Sequence, residues 1–100
     1  MNNMVIKKIG VEMITDLDRE IMLITQEECA EVTQAISKVF RFGFLSQHNG
    51  KSNRQHLAEE LGDLQCMIDL LVGTGMVTQE ELNLAKSAKR EKLRNWSNIK

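Results

Sequence analysis

Two pairs of acidic residues are the part of this sequence best suited to chemistry. Glu28 and Glu31 lie in "QEECAEVTQA", the stretch from Gln26 to Ala35, and Glu60 and Asp63 lie in "EELGD". Within each pair the residues are three apart, about one helical turn, so both members share a face. Each pair also continues an apolar line. Ile21, Ile24, Glu28, Glu31 and Ala35 follow that spacing in one case, and Glu60, Asp63, Met67 and Leu70 in the other. A helix that carries carboxylates along its own buried stripe needs a reason.

Four converging carboxylates repel one another, and burying an unpaired charge costs several kcal/mol. The compensation open to them is protonation, Lys or Arg partners, or a metal ion. An all-oxygen donor set suits hard cations such as Mg²⁺ or Mn²⁺. Inward-facing acids at three-residue spacing are how helical bundles build metal sites. Four negative charges exceed what one divalent ion needs and leave room for two or more ions, completed by water and substrate phosphate. The plainer reading is that paired Glu residues on a helix are solvated. Two such pairs, each on an apolar line and on successive helical segments, favour the site.

The elements that must position these residues are helical. Thr15 is a good N-cap, with Asp18 in the first turn. Leu17, Ile21, Ile24, Val32, Ala35, Ile36 and Val39 then recur at helical spacing as far as Gly43, a terminator. This predicts a first helix of about 27 residues, or about 40 Å. "SQHNGKSN", Ser46 to Asn53, is a polar loop with an Asn-Gly turn. Ser52 and Gln55 form a capping box that opens a second helix. Its apolar line is Leu57, Leu61, Leu64, Ile68 and Leu71, widened by Met67 and Leu70, and Gly73 and Gly75 end it. A hairpin-length connection makes the first two helices antiparallel. Thr78 and Glu81 form another capping box and open a third helix. Its apolar face (Leu82, Leu84, Ala85, Ala88, Leu93) is weaker, and its last turns are basic. Residues 1 to 14 are ambiguous, since Val5, Ile6, Ile9, Met13 and Ile14 could line a short helix that Gly10 weakens.

The expected class is therefore all-α. The chain is one domain, residues 1–100, a small bundle with a long first helix, an antiparallel second helix and a basic third helix. A chain of 100 residues has a thin core, and oligomerisation is the expected way to complete it. The net charge of −1 gives no basic field for nucleic acid. No apolar run is long enough to span a membrane, and "MNNMVIKKIG" lacks a signal-peptide core. Cys29 and Cys66 have no metal-type spacing and fit packed, reduced thiols, with a disulfide between the helices the minor alternative. The expected location is the cytoplasm, or that of a host if the chain is phage-encoded.

"EECAE" and "EELGD" together resemble the E-E-x-x-E … E-x-x-D signature of the MazG-like nucleotide pyrophosphohydrolases, the all-α NTP pyrophosphatase superfamily. The matching residues are Glu27, Glu28, Glu31, Glu60 and Asp63, and the resemblance spans Ile21 to about Leu71. The short chain and the stretches "ISKVFRFG" and "KLRNWS" are similar to phage-type members. The resemblance implies hydrolysis of a nucleoside triphosphate, or its deoxy form, between the α and β phosphates, releasing the monophosphate and pyrophosphate. It implies Mg²⁺, with Mn²⁺ as substitute, on Glu28, Glu31, Glu60 and Asp63. Glu27 lies about 100° round the helix from Glu28, where it orients water, supports a ligand or faces solvent. The family also implies a dimer or tetramer.

On that reading Lys89 and Lys92, which share a face, hold phosphates with Asn95 one turn on, and Arg90 and Arg94 are alternatives. The plainer account is a solvated helix end favoured by the macrodipole. Phe40, Phe42, Phe44 and Trp96 are candidates for the base pocket, and Phe40 and Phe44 would share a helical face. His56, one turn before Glu60, is in reach of a phosphate. A second reading is phosphoribosyl-ATP pyrophosphatase, but "LQCMIDLL" lacks the Tyr-His character of that enzyme after the acidic motif. A third is a non-enzymatic helical oligomer or adaptor, which predicts solvent-facing carboxylates and no stabilisation by divalent ions.

Overall fold

A computed structural model of the chain describes residues 13–100. The suggested helix through Val5, Ile6 and Ile9 lies outside the described residues. Helix α1 runs Asp16–Phe42, 27 residues, and starts at a reciprocal cap. The Asp18 N–H donates to the Thr15 hydroxyl at 3.0 Å, and the Thr15 N–H donates to the Asp18 carboxylate at 3.2 Å. Two otherwise orphaned donors are satisfied at once. Asp18 is thus a buried capping partner rather than only a favourable first-turn charge.

Gly43 ends α1 with φ of 90°, a backbone that side chains disfavour, while its N–H still reaches the Val39 carbonyl at 2.8 Å. Phe44 therefore lies beyond the helix and does not share a helical face with Phe40. The expected polar loop contains a two-residue hairpin, β1 (Gln47–His48) and β2 (Lys51–Ser52), with Gln47 opposite Ser52 and His48 opposite Lys51. Asn49 and Gly50 form its turn with φ of 55° and 80°. Positive φ at both turn positions is what a tight hairpin with right-handed twist requires, and Asn-Gly supplies it at least cost.

Helix α2 runs Asn53–Gly73 and starts at the Ser52/Gln55 capping box. The Asn53 side chain donates to the Gly43 carbonyl at 3.0 Å, and the Arg54 N–H donates to the Phe44 carbonyl at 3.0 Å. These bonds tie the end of α1 to the start of α2. After Thr74 and Gly75, helix α3 (Gln79–Trp96) opens at the Thr78/Glu81 box. Apart from the two-residue hairpin, all regular structure described is helical.

The packing is uneven. Ile21, Ala35 and Met67 are the buried apolar residues among those described. Ile21, Glu28 and Ala35 recur every seven residues, so one stripe of α1 faces the seam. On α2 the deepest apolar residue is Met67, on the line that also carries Glu60 and Asp63. The Leu57–Leu71 line expected to form the core is at best half-buried, and Leu61 is exposed. No residue of α3 is buried, so the third helix does not close over that line. The radius of gyration is 17.1 Å, against about 13 Å for a compact chain of this length. Cys29 and Cys66 are free and exposed rather than packed. Among the described residues, no helix is long and apolar enough to cross a membrane.

Candidate metal centre

Moving back along α1 from Gly43 to Glu28 corresponds to moving forward along α2 from Asn53 to Asp63. The helices are therefore antiparallel, and their acidic turns meet across the seam. Glu28, Glu60 and Asp63 each offer a carboxylate oxygen, and these atoms all lie within 4.8 Å of one another. Glu28 and Glu60 are half-buried and Asp63 is exposed.

The electrostatics match that geometry. Desolvation, followed by the charges of Asp63, Glu60, Glu31 and Glu27 in that order, pushes the Glu28 carboxyl above its ordinary value of 4.5. Among the described residues no Lys or Arg forms an ion pair with Glu28, Glu60 or Asp63. Lys51 is engaged by the neighbouring Glu59 at 2.8 Å. The one basic group at the cluster is His56, whose Nε2 lies 2.9 Å from a Glu60 oxygen, one turn away on α2. Three convergent carboxylates with no lysine or arginine partner form a donor set that fits a hard divalent cation.

The two remaining acidic residues of the motif are near but not in this cluster. Glu31 is exposed, one turn along α1, and contributes charge to Glu28 without placing its own carboxylate among the three. Glu27 is exposed and acts on Glu28 in the same long-range way. The basic helix lies elsewhere in the chain. Lys89 lines a cleft of about 630 Å³ with Gln65, Ile68, Asp69, Leu82 and Ala85. Gln65 is two residues from Asp63, about 200° round α2, so the cleft and the carboxylates occupy different sides of that helix. Lys92, Asn95 and Trp96 are exposed. Within one chain, then, Lys89 lies on the side of α2 away from the acidic cluster. Phe40, Phe42 and Phe44 are exposed as well, and the Arg41 guanidinium sits over the Phe42 ring at 4.9 Å.

A second cleft was not foreseen from the motif. It has a volume of about 480 Å³ and is lined by Lys38, His48, Asn49, Lys51, Asn53 and His56. His56, expected from its place one turn before Glu60 to be in reach of a phosphate, lines it; Lys38 was missed, although it lies seven residues after Glu31 and so on the same face of α1.

The MazG nucleotide pyrophosphohydrolase domain matches residues 18–92, a span that holds both acidic turns and most of α3. No curated protein and no solved structure matches the chain. With a domain match over most of its length and both acidic turns meeting on facing helices, the chain belongs to the MazG nucleotide pyrophosphohydrolase family.

Proposed function

We propose that this chain hydrolyses a nucleoside or deoxynucleoside triphosphate between the α and β phosphates, releasing the monophosphate and pyrophosphate, with Mg²⁺ as the cofactor. The observation that carries the reading is the meeting of the Glu28, Glu60 and Asp63 carboxylates within 4.8 Å, without a Lys or Arg counter-charge. Left alone, that cluster opposes folding. It makes sense as a preformed cradle for positive charge.

Glu28, Glu60 and Asp63 would hold Mg²⁺, and Glu31, one turn away, would complete the set by a change of rotamer. A divalent ion there supplies charge neutralisation to the phosphates and polarises a phosphoryl oxygen. The protein contributes position, since α1 and α2 fix three ligands on two rigid elements before substrate arrives. His56 holds one Glu60 oxygen and limits that side chain's freedom. Glu27 is the candidate to orient the attacking water.

The chain is proposed to work as a homo-oligomer, a dimer or tetramer. Among the described residues fifteen large apolar residues are exposed, against two buried ones, Ile21 and Met67, which is the wrong way round for a finished core. The surface is 7984 Å², where a folded monomer of this mass exposes about 5,800 Å². An excess of about 2,000 Å² per chain, about 4,000 Å² over two chains, falls within the total that obligate homodimers bury. In such an assembly the basic face of α3, with Lys89, Lys92, Asn95 and Trp96, is free to serve the substrate. The two free thiols suit a reducing cytoplasm.

The test is a panel of nucleoside triphosphates and phosphoribosyl-ATP, assayed for pyrophosphate with and without Mg²⁺. Mg²⁺-dependent pyrophosphate from at least one nucleoside triphosphate is the expected result. Orthophosphate and nucleoside diphosphate as main products would overturn the assigned bond.

A further inference from the structure

We infer that the cleft between the end of α1 and the hairpin is an anion subsite that takes the terminal phosphates of the substrate and, after cleavage, the leaving pyrophosphate. This rests on the triphosphate reading above and adds to it a direction for the bound substrate.

The lining residues carry the argument. Lys38 comes from α1, His48 and Lys51 from the hairpin, and His56 from the first turn of α2. Asn49 and Asn53 supply neutral polar atoms, and no acidic residue lines the cleft. Two lysines, two histidines and two asparagines, all able to donate hydrogen bonds to an anion, converge in about 480 Å³. The start of α2 adds to this set, because that helix has no acidic residue in its first turn to offset its positive end. Lys51 is paired with Glu59 at 2.8 Å, which fixes its position at the cleft and offsets part of its charge. Lys38 forms no ion pair among the described residues, so its charge is available to a ligand.

The cleft also adjoins the acidic cluster. His56 belongs to both, lining the cleft and lying 2.9 Å from Glu60. From Glu60 to His56 is one turn, about 6 Å along the axis. Lys38 lies about 10 Å along α1 from Glu31, within reach of a long lysine side chain. Carboxylates attract the cation and basic groups attract phosphate, so the two regions together suit a polyphosphate whose metal-held portion lies at Glu28, Glu60 and Asp63. Its free phosphate end then extends towards the hairpin. The nucleoside extends the other way, towards the C-terminal half of α2. When water attacks, its oxygen forms a new bond to the α phosphorus and its proton passes to solvent, while the bond from that phosphorus to the oxygen bridging to the β phosphate breaks and both electrons of that bond leave with pyrophosphate. The charge that develops on the leaving group falls beside the basic cleft.

The experiment uses the full chain and the variants Lys38→Gln, Lys51→Gln and, as a charge-matched control, Lys100→Gln. Calorimetry measures binding of inorganic pyrophosphate with Mg²⁺, of a nucleoside monophosphate, and of Mg²⁺ alone. Thermal melting confirms that each variant folds. We expect Lys38→Gln to weaken pyrophosphate by at least about tenfold, the loss of one charge-assisted bond, with monophosphate and Mg²⁺ binding unchanged. Lys51→Gln should act in the same direction but less, because Glu59 already offsets part of the Lys51 charge, and Lys100→Gln should leave all three unchanged. In turnover, Lys38→Gln should raise KM for the triphosphate more than it lowers kcat. Wild-type protein that does not bind pyrophosphate overturns the proposal, as does an equal loss in Lys100→Gln or an unchanged affinity in Lys38→Gln. If wild type releases no pyrophosphate from any triphosphate, the function proposed above fails, while the binding measurements still decide the cleft.

Discussion

Replacing Asp63 by Asn removes one charge from the acidic cluster while keeping the shape of the side chain. Asp63 and Glu60 present oxygens within 4.8 Å of each other, and Asp63 is exposed. At the dielectric of water their repulsion is about 1 kcal/mol, and that screened limit is the appropriate one here. Metal-free Asp63→Asn should therefore be more stable than wild type by about that amount, a rise in melting temperature of about 4–8 °C for a domain of this size. Mg²⁺ should reverse the order. An ion bound only to the folded state adds about 2.7 kcal/mol at a hundred times its Kd, and the variant should lose most of that gain. Turnover should fall by about a hundredfold or more, because a misplaced ion forfeits several kcal/mol of transition-state stabilisation. The assay is two measurements per protein: melting by circular dichroism with and without Mg²⁺, and pyrophosphate release. Near-normal turnover in Asp63→Asn would refute the assigned centre. So would a metal-free variant destabilised by about 3–5 kcal/mol, the mark of a broken buried ion pair. Glu31→Gln, whose carboxylate lies outside the close cluster, should cut turnover yet change the metal-free melting temperature less than Asp63→Asn does.

Three further outcomes follow from the same structure. The raised Glu28 carboxyl means that the folded protein holds a proton more tightly than the unfolded chain does. Its contribution to stability therefore rises as pH falls through the folded value towards the ordinary 4.5, and is lost above that window. The gap in metal-free melting temperature between Glu28→Gln and wild type should thus narrow on acidification across it, and a constant gap would remove the electrostatic account. Thr15→Ala should cost about 1 kcal/mol in denaturant unfolding by breaking the reciprocal cap with Asp18, and no loss would mean the cap is redundant. Sedimentation at micromolar concentration should show no dominant monomer, and an active monomer would contradict the reading of the exposed apolar residues.

The helices could be read from local chemistry. Thr15, Ser52 and Thr78 each sit three residues before a partner that closes a capping box, and Gly43 and Gly75 adopt the positive φ expected near helix ends. Caps and turns depend on neighbouring residues, so the linear sequence determines them. The same holds for the placement of Glu28 and Glu31, and of Glu60 and Asp63, on single faces. Which of two apolar lines on α2 turns inward is not a local matter. Neither line turns inward as a whole: Met67 is buried and Leu57, Glu60, Leu64, Ile68 and Leu71 are half-buried, while Leu61, Asp63 and Leu70 are exposed, so the rotation of α2 against α1, tied at one end by the bonds from Asn53 and Arg54 to the Gly43 and Phe44 carbonyls, selects members of both. That rotation also decides that Glu28, Glu60 and Asp63 form the close cluster and Glu31 does not. The turn from α1 through the hairpin into α2 brings Lys38 to His48, Lys51 and His56, residues ten to eighteen positions further along the chain, and no helical spacing rule encodes that proximity. The sequence by itself determined the elements and the acidic turns. Only tertiary structure decided which charges meet, because side-chain distance across a seam depends on the relative rotation and offset of two helices, and periodicity within each helix carries neither.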